Sequence, residues 1–237
     1  MRQTTLDFLR QEGAQVAVNV HFFWPFPSAD RDVEVIGLAA SEGLVYSGFE
    51  SPVQDYALVA NAPAINIDAD NHASVVHRDP TSGDGRRVLE AVALGTVVAG
   101  AAQIVTEGQV TVPAYRDAEH PVGVLTPGGP GQYSNVKSWY DVATARTSIG
   151  LSKDARLLTI FTVDARGGSA GMTVREVAAM LVADYGVWDA LNLDGGGSTS
   201  LAMQDPRTGE ARLVNVSSDN PAGRAVGSNL AIFARGR

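Results

Sequence analysis

No cysteine occurs anywhere in the 237 residues. That absence excludes disulfides, thiolate-ligated zinc and thiol nucleophiles, and it leaves the redox compartment undetermined. Positive charge is scarce: 18 Lys and Arg face 26 Asp and Glu, a formal net charge of −8. The few basic residues form no cluster, so binding to nucleic acid by phosphate neutralisation is not expected. A single buried Arg still suffices for one anionic group on a small substrate. No apolar run approaches the roughly 20 residues of a membrane span. The most apolar, "VALGTVVAGAAQIV" (92–105), reads as one or two buried strands. The opening "MRQTTLDFLRQEG" lacks the apolar stretch of a signal peptide.

No long linker, repeat or low-complexity tract interrupts the chain, and its length and 45% hydrophobic content suit one sizeable core. Thr4 or Thr5 is placed to cap a short helix, "LDFLRQEG", that stops at Gly13. Short β-type runs follow, "AQVAVNVHFFW", "VEVIGLAA", "GLVYSG", "YALVA", "AINIDA" and "ASVVH", punctuated by Gly, Pro, Asn and Asp. Residues 106–140 read as long loops beside a strand or two. "RTSIGL" and "RLLTIFTVD" are strands. "MTVREVAAMLVADYG" (172–186) is the clearest helix. Thr173 and Glu176 form a capping box, Gly186 is the stop, and Val174, Val177, Ala178, Leu181, Val182 and Tyr185 follow the spacing of a buried face. The expected fold is α+β, a strand-rich mixed or antiparallel sheet with two or three helices packed on it, in one domain over residues 1–237.

The stretch "NLDGGGSTS" (192–200) stands apart, because three consecutive glycines are costly to order. A P-loop would place a Lys after Gly197, and a dinucleotide fingerprint would open a helix, whereas "STSLAM" runs into a turn and another strand. A nucleophile elbow is absent as well, and Ser198 has no evident His partner among His21, His72, His77 and His120. What remains is a strand-end carboxylate beside bare backbone. Strand alternation sends Asn192 and Asp194 to one side and Leu191 and Leu193 to the core. Successive glycine N–H groups can then form an anion-binding nest. The competing reading is a tight glycine turn that Asp194 merely caps.

The block "RTSIGLS…LLTIFTVDARGGSAGMTVREVAAMLVADYGVWDALNLDGGGSTSLAM" (146–203) resembles the phosphodiester glycosidase family. The family pattern runs R-T-A-hydrophobic-G, V-D-G-R, S-x-G-M-T-hydrophobic-x-E and N-L-D-G-G-G-S. "GAQVAVNVHFF" (13–23) and "VNVSSDNPAGRAVGSNLAIF" (214–233) extend the likeness over most of the chain. Two departures stand out: Val20-His21 replaces the family's Gly-Gly, and Ala165 replaces the Gly of V-D-G-R. The family's strands ahead of the first helix are missing, so a short or trimmed member is expected.

The resemblance implies hydrolysis of a sugar-1-phosphodiester, of an N-acetylglucosamine-1-phosphodiester-like kind with the sugar itself left open, at the anomeric carbon. A phosphodiester leaves far more readily than an alkoxide, so neutralising its charge matters more than a second carboxylic acid. On this reading Asp194 meets the sugar as nucleophile or charge stabiliser, Arg146 clamps the phosphate, and Asp164 is the second carboxylate. Asn19, Asn192, Gly195, Gly196, Gly197, Ser198, Thr173, Glu176 and Arg224 complete the expected substrate site. The structural alternatives are a salt bridge for Arg146, an Asp164–Arg166 ion pair, the capping box for Thr173 and Glu176, and packing for His21. "DADNH" (68–72) starts like a calcium loop but carries Ala73 at position six and Asp79 at position twelve, so neither a metal nor any other cofactor is expected. The expected partner is a glycosyl phosphate or phosphodiester-linked glycan, with no nucleic acid. The family resemblance implies an extracytoplasmic enzyme. The rival readings are a non-catalytic carbohydrate or nucleotide-sugar binding module, and a structural envelope protein whose glycines only make turns.

Overall fold

In the computed structural model the described residues are 1–26, 28, 30–49, 62–112, 140 and 142–234. The strand expected at "YALVA", His120 and most of the expected 106–140 loop lie outside them. In chain order the elements begin β1 (Gln3–Thr4), α1 (Thr5–Glu12), β2 (Val16–Asn19), β3 (Phe23–Trp24), β4 (Glu34–Val35), β5 (Ala39–Ser41) and β6 (Leu44–Ser47). Next come β7 (Ala64–Ile67), β8 (Ala73–Val76), β9 (Thr96–Ala99), β10 (Ala102–Thr106), β11 (Gln109–Val110), β12 (Arg146–Leu151) and β13 (Leu158–Val163). The chain closes with α2 (Val174–Tyr185), β14 (Asp189–Asn192), β15 (Leu201–Gln204), β16 (Ala211–Leu213), β17 (Ala225–Val226) and β18 (Asn229–Ile232).

The fold is α+β and strand-rich. Among the described residues the strands form three larger sheets, in the orders β11-β10-β14-β12-β13, β16-β15-β2-β18 and β6-β5-β9-β7-β8, with two short two-stranded pairs. Their pairings are antiparallel. Val18, Val20 and Leu230 from one sheet, Ile65 and Val98 from another, and Ile149, Leu151, Leu191 and Leu193 from the third meet in a common core. Burying this apolar surface is the main favourable term available to the fold. The opposite face of the first sheet, at Ala102, Ile104 and Ala190, is covered by α2 through Val174, Val177, Ala178 and Leu181. Helix α1 covers the second sheet through Leu9, against Ala17 and Ala202.

Both helices start and stop where their sequences direct. Thr4 caps α1 by accepting from Asp7 N–H, and Gly13 ends it in the left-handed region at φ 66°. The Thr173–Glu176 capping box opens α2, and Gly186 closes it at φ 63°. One residue departs from the expected buried stripe: Tyr185 is 56% exposed. It lies in the last turn, where the helix outruns the sheet, and its ring meets Phe161 edge-on at 6.1 Å. Strand β12 is buried along its whole length because sheet, helix and core enclose it on both faces.

Candidate active site

Strand β14 ends at Asn192, and the chain then turns through Asp194 into a 3₁₀ turn over Gly196–Ser198. Leu191 and Leu193 are buried in the common core. The opposite face carries Asn192, whose cross-strand partner on β12 is Ser148.

The three glycines answer to three separate constraints. A Cβ at Gly195 would stand 2.9 Å from the Ala145 carbonyl oxygen, and one at Gly197 would stand 2.2 Å from Arg224 Nη2. Gly196 has φ +58°, in the left-handed region. The turn is therefore shaped to bring backbone against β12 and a guanidinium against backbone. Its amides are partly engaged within the protein: Gly196 N–H donates to the Ala145 carbonyl at 2.7 Å and Ser198 N–H to the Gly195 carbonyl at 3.1 Å.

Asp194 is held by its main chain. Its N–H donates to the Val20 carbonyl at 2.9 Å. Its carbonyl accepts from Asn19 Nδ2 at 2.7 Å. The carboxyl group receives the Ser198 hydroxyl and the Gly195 N–H, with the charge of Arg224 nearby. Removal from water nevertheless outweighs these three influences and raises the Asp194 pKa to about 7.

Arg224 completes the group. Its Nη1 donates to Ser198 Oγ at 3.2 Å and its Nε to Asp219 Oδ2 at 3.0 Å. The guanidinium also lies over the Phe26 ring, 4.5 Å from its centroid. Asp219, Arg224, Ser198 and Asp194 thus form a continuous polar chain across the glycine turn.

The other expected site residues meet partners within the protein. Arg146 is buried, and its guanidinium donates to the Met172 carbonyl at 3.0 Å and to the Val142 carbonyl, tying the segment before α2 to the head of β12. Asp164 accepts from Asn215 Nδ2 at 2.9 Å and from Val216 N–H at 2.7 Å, so these groups, and not Arg166, engage its carboxylate. Thr173 and Glu176 form the reciprocal capping box. Asn19 is fully buried, with its Oδ1 accepting from Thr147 Oγ1 at 2.9 Å and Ser200 N–H at 3.0 Å. Its amide is an internal brace for Asp194. Among the described residues, Ser148 Oγ, Asn192 Oδ1 and Ser200 Oγ are buried without a hydrogen-bond partner.

His21, replacing a family glycine, is also buried. Asp68, Asp70 and His72 bring ligand-type atoms within 4.8 Å of one another in the "DADNH" turn, where Asp68 Oδ1 accepts from the Asp70 and His72 N–H groups.

Sequence reasoning missed Thr147, Val20, Asp219 and Phe26. Strand alternation could have found Thr147, since it faces away from Arg146 and Ser148. Asp219, Arg224 and Phe26 sit in aperiodic segments, and only the folded chain brings them to the glycine turn.

The strand-rich α+β scaffold thus presents a carboxyl of raised pKa beside a guanidinium and a glycine turn, a perturbed group that marks a candidate site. The sequence profile of the phosphodiester glycosidase family matches residues 12–233, and the chain belongs to that family. Among solved structures it is similar to the zebrafish N-acetylglucosamine-1-phosphodiester alpha-N-acetylglucosaminidase catalytic domain auto-inhibited by its pro-peptide. That match has 19% identity and a TM-score of 0.66, covering 99% of this chain and 68% of the other. A protein from Burkholderia pseudomallei K96243 named as exported matches with 16% identity and a TM-score of 0.60, covering 98% and 68%. A hypothetical protein from Synechocystis matches with 17% identity and a TM-score of 0.56, covering 97% of this chain and 53% of the other. A search of curated proteins returns no match. Among the described residues no helix is long and apolar enough to cross a membrane.

Proposed function

We propose that this chain hydrolyses a glycosyl-1-phosphodiester, of the N-acetylglucosamine-1-phosphodiester type, at the anomeric carbon. The observation that carries the reading is the Asp194–Ser198–Arg224 group, in which a carboxyl with a pKa of about 7 and a guanidinium share one hydroxyl. The phosphodiester carries one negative charge, and Arg224 is the cation beside the glycine turn that pairs with it. Asp194, ionised above neutral pH, takes a proton from the attacking water; a pKa near the working pH is what a general base requires. The water oxygen bonds to the anomeric carbon while the carbon–oxygen bond to phosphate breaks. The bonding pair goes to the phosphate oxygen. Free sugar and a phosphate monoester are the products, and the proton on Asp194 passes to solvent.

Asn192 and the turn at Gly195–Ser198 form the floor beneath the sugar, with the orphaned Asn192 Oδ1 an acceptor for a ligand hydroxyl. Arg146, Asp164, Asn19, Thr173 and Glu176 hold the surrounding segments. The choice of N-acetylglucosamine is supported by the name of the zebrafish enzyme, and an extracytoplasmic setting by the likeness to a protein named as exported.

The test is a paired assay on N-acetylglucosamine-1-phosphate methyl diester and on methyl N-acetylglucosaminide. The reading expects sugar release from the diester only, since only it offers a charge for Arg224 and a good leaving group. Equal release from both would overturn the assignment of Arg224. A glycan that binds without release from any substrate would establish the binding-module alternative.

A further inference from the structure

His21 is unused in that mechanism, yet it is buried at a junction of three segments. Ala99 N–H donates to His21 Nε2 at 3.0 Å. Nδ1 meets Ser228 Oγ at 2.8 Å, and the His21 backbone N–H donates to the same oxygen at 3.3 Å. The Leu38 carbonyl lies 3.1 Å from Nε2. One imidazole therefore joins the end of β2 to β9 and to the residue before β18. The residue preceding it, Val20, offers the carbonyl that holds Asp194 N–H, and Asn19 before that holds the Asp194 carbonyl. On the β9 side, Ala101 N–H donates to the Asn192 carbonyl at 2.8 Å, so the same bolt reaches the strand that delivers Asp194. His21 and Val20 also line a cavity of about 240 Å³ shared with Tyr46, Val98 and Ser228. The two side chains stand where the family pattern has bare backbone.

We propose that His21 is a positioning residue for Asp194, locking Val20 and Asn19 onto the Asp194 main chain. The inference rests on Asp194 as the working carboxyl of the proposed reaction. Arg224, paired with Asp219, is the charged group facing Asp194. Around His21 the partners are the neutral Ser228, Leu38 and Ala99 groups, and Tyr46 is the other titratable side chain lining the cavity.

The test is an NMR titration of the Asp194 carboxyl carbon, assigned by comparison with Asp194→Asn, in the wild type and two variants. His21→Phe fills the space without the hydrogen bonds. It releases the Val20 and Asn19 contacts with the Asp194 main chain, so the carboxyl shifts against Ser198 and Arg224 and the midpoint moves by about one pH unit or more from the wild-type value. His21→Gln, whose side-chain oxygen reaches the Nε2 position and accepts from Ala99 N–H, keeps the wild-type midpoint. A folded His21→Phe protein titrating like the wild type would overturn the proposal, as would His21→Gln shifting as far as His21→Phe. Where thermal melting shows that His21→Phe does not fold, Ser228→Ala decides: a moved midpoint supports the proposal and an unchanged one overturns it. The titration needs no turnover. If no glycosyl phosphodiester is cleaved, the proposed function fails while the role of His21 is still decided.

Discussion

Arg224 Nη1 donates to Ser198 Oγ at 3.2 Å while its Nε is held by Asp219 at 3.0 Å, and the Ser198 hydroxyl in turn meets the Asp194 carboxyl. The guanidinium is thereby aimed by three contacts: Asp219, Ser198 and the face of Phe26. Lys keeps the charge but has neither the planar fork nor the stacking surface. Arg224→Lys is expected to lower kcat/KM for a glycosyl phosphodiester by about two orders of magnitude, roughly the loss of one charge-assisted, aimed contact. Steady-state kinetics check this, and an unchanged kcat/KM would remove Arg224 from the site.

The neighbouring glycines separate folding from function. An Ala Cβ at Gly195 meets backbone, the Ala145 carbonyl oxygen at 2.9 Å, which cannot move without shifting β12. At Gly197 it meets the end of a flexible side chain, Arg224, at 2.2 Å. Gly195→Ala is expected to destabilise the protein by about 1–3 kcal/mol through backbone strain. Gly197→Ala is expected to melt near the wild-type temperature and lose activity, because Arg224 is pushed aside. Thermal melting and a turnover assay on both proteins test the pair.

Asn19 braces the site from beneath. Truncating it leaves Thr147 Oγ1, Ser200 N–H and the Asp194 carbonyl without their partner. Asn19→Ala is therefore expected to cost about 2–4 kcal/mol in urea unfolding, because buried polar groups left unpaired bear their desolvation penalty. A cost below half a kcal/mol would mean that water replaces the amide.

Two titrating groups, the buried His21 and the half-buried Asp194, oppose each other with pH. The Asp194 pKa is raised from 3.8 to about 7 in the folded state, so on acidification from pH 7 the folded protein takes the proton first and gains stability. The His21 pKa is lowered from 6.5 to about 4, chiefly by burial, so between pH 6.5 and 4 the unfolded chain takes the proton and the folded protein loses stability. Their windows overlap and largely cancel in the wild type. Asp194→Asn is expected to melt above the wild type at pH 8 and to lose stability steadily from pH 6.5 to 4. His21→Gln is expected to gain stability over that interval. Melting curves across the range test the signs, and an Asp194→Asn profile parallel to the wild type would contradict the raised pKa of that carboxyl.

The elements and the glycine turn were legible in the sequence because their signals are local. The capping box, the stops at Gly13 and Gly186 and the alternation that buries Leu191 and Leu193 each depend on neighbours a few residues away. The partners of the polar residues were not legible. Arg146 and Asp164 look alike to Arg224 and Asp194 in sequence, a charge at a strand end or loop. What separates them is the partner each meets: main-chain carbonyls for Arg146, Asn215 and Val216 for Asp164, and each other's neighbourhood for Asp194 and Arg224. Those partners lie tens of residues away along the chain, and no periodicity encodes them.

The central claim is that water attacks the sugar carbon and not the phosphorus. Hydrolysis of N-acetylglucosamine-1-phosphate methyl diester in water enriched in heavy oxygen, with mass analysis of both products, tests it directly. The account predicts the heavy oxygen at the anomeric hydroxyl of the released sugar, none in methyl phosphate, and a loss of about three orders of magnitude in rate for Asp194→Asn, the scale of a missing general base. Heavy oxygen in the phosphate product would contradict it, because attack at phosphorus would make the protein a phosphodiesterase and leave Asp194 without its assigned partner.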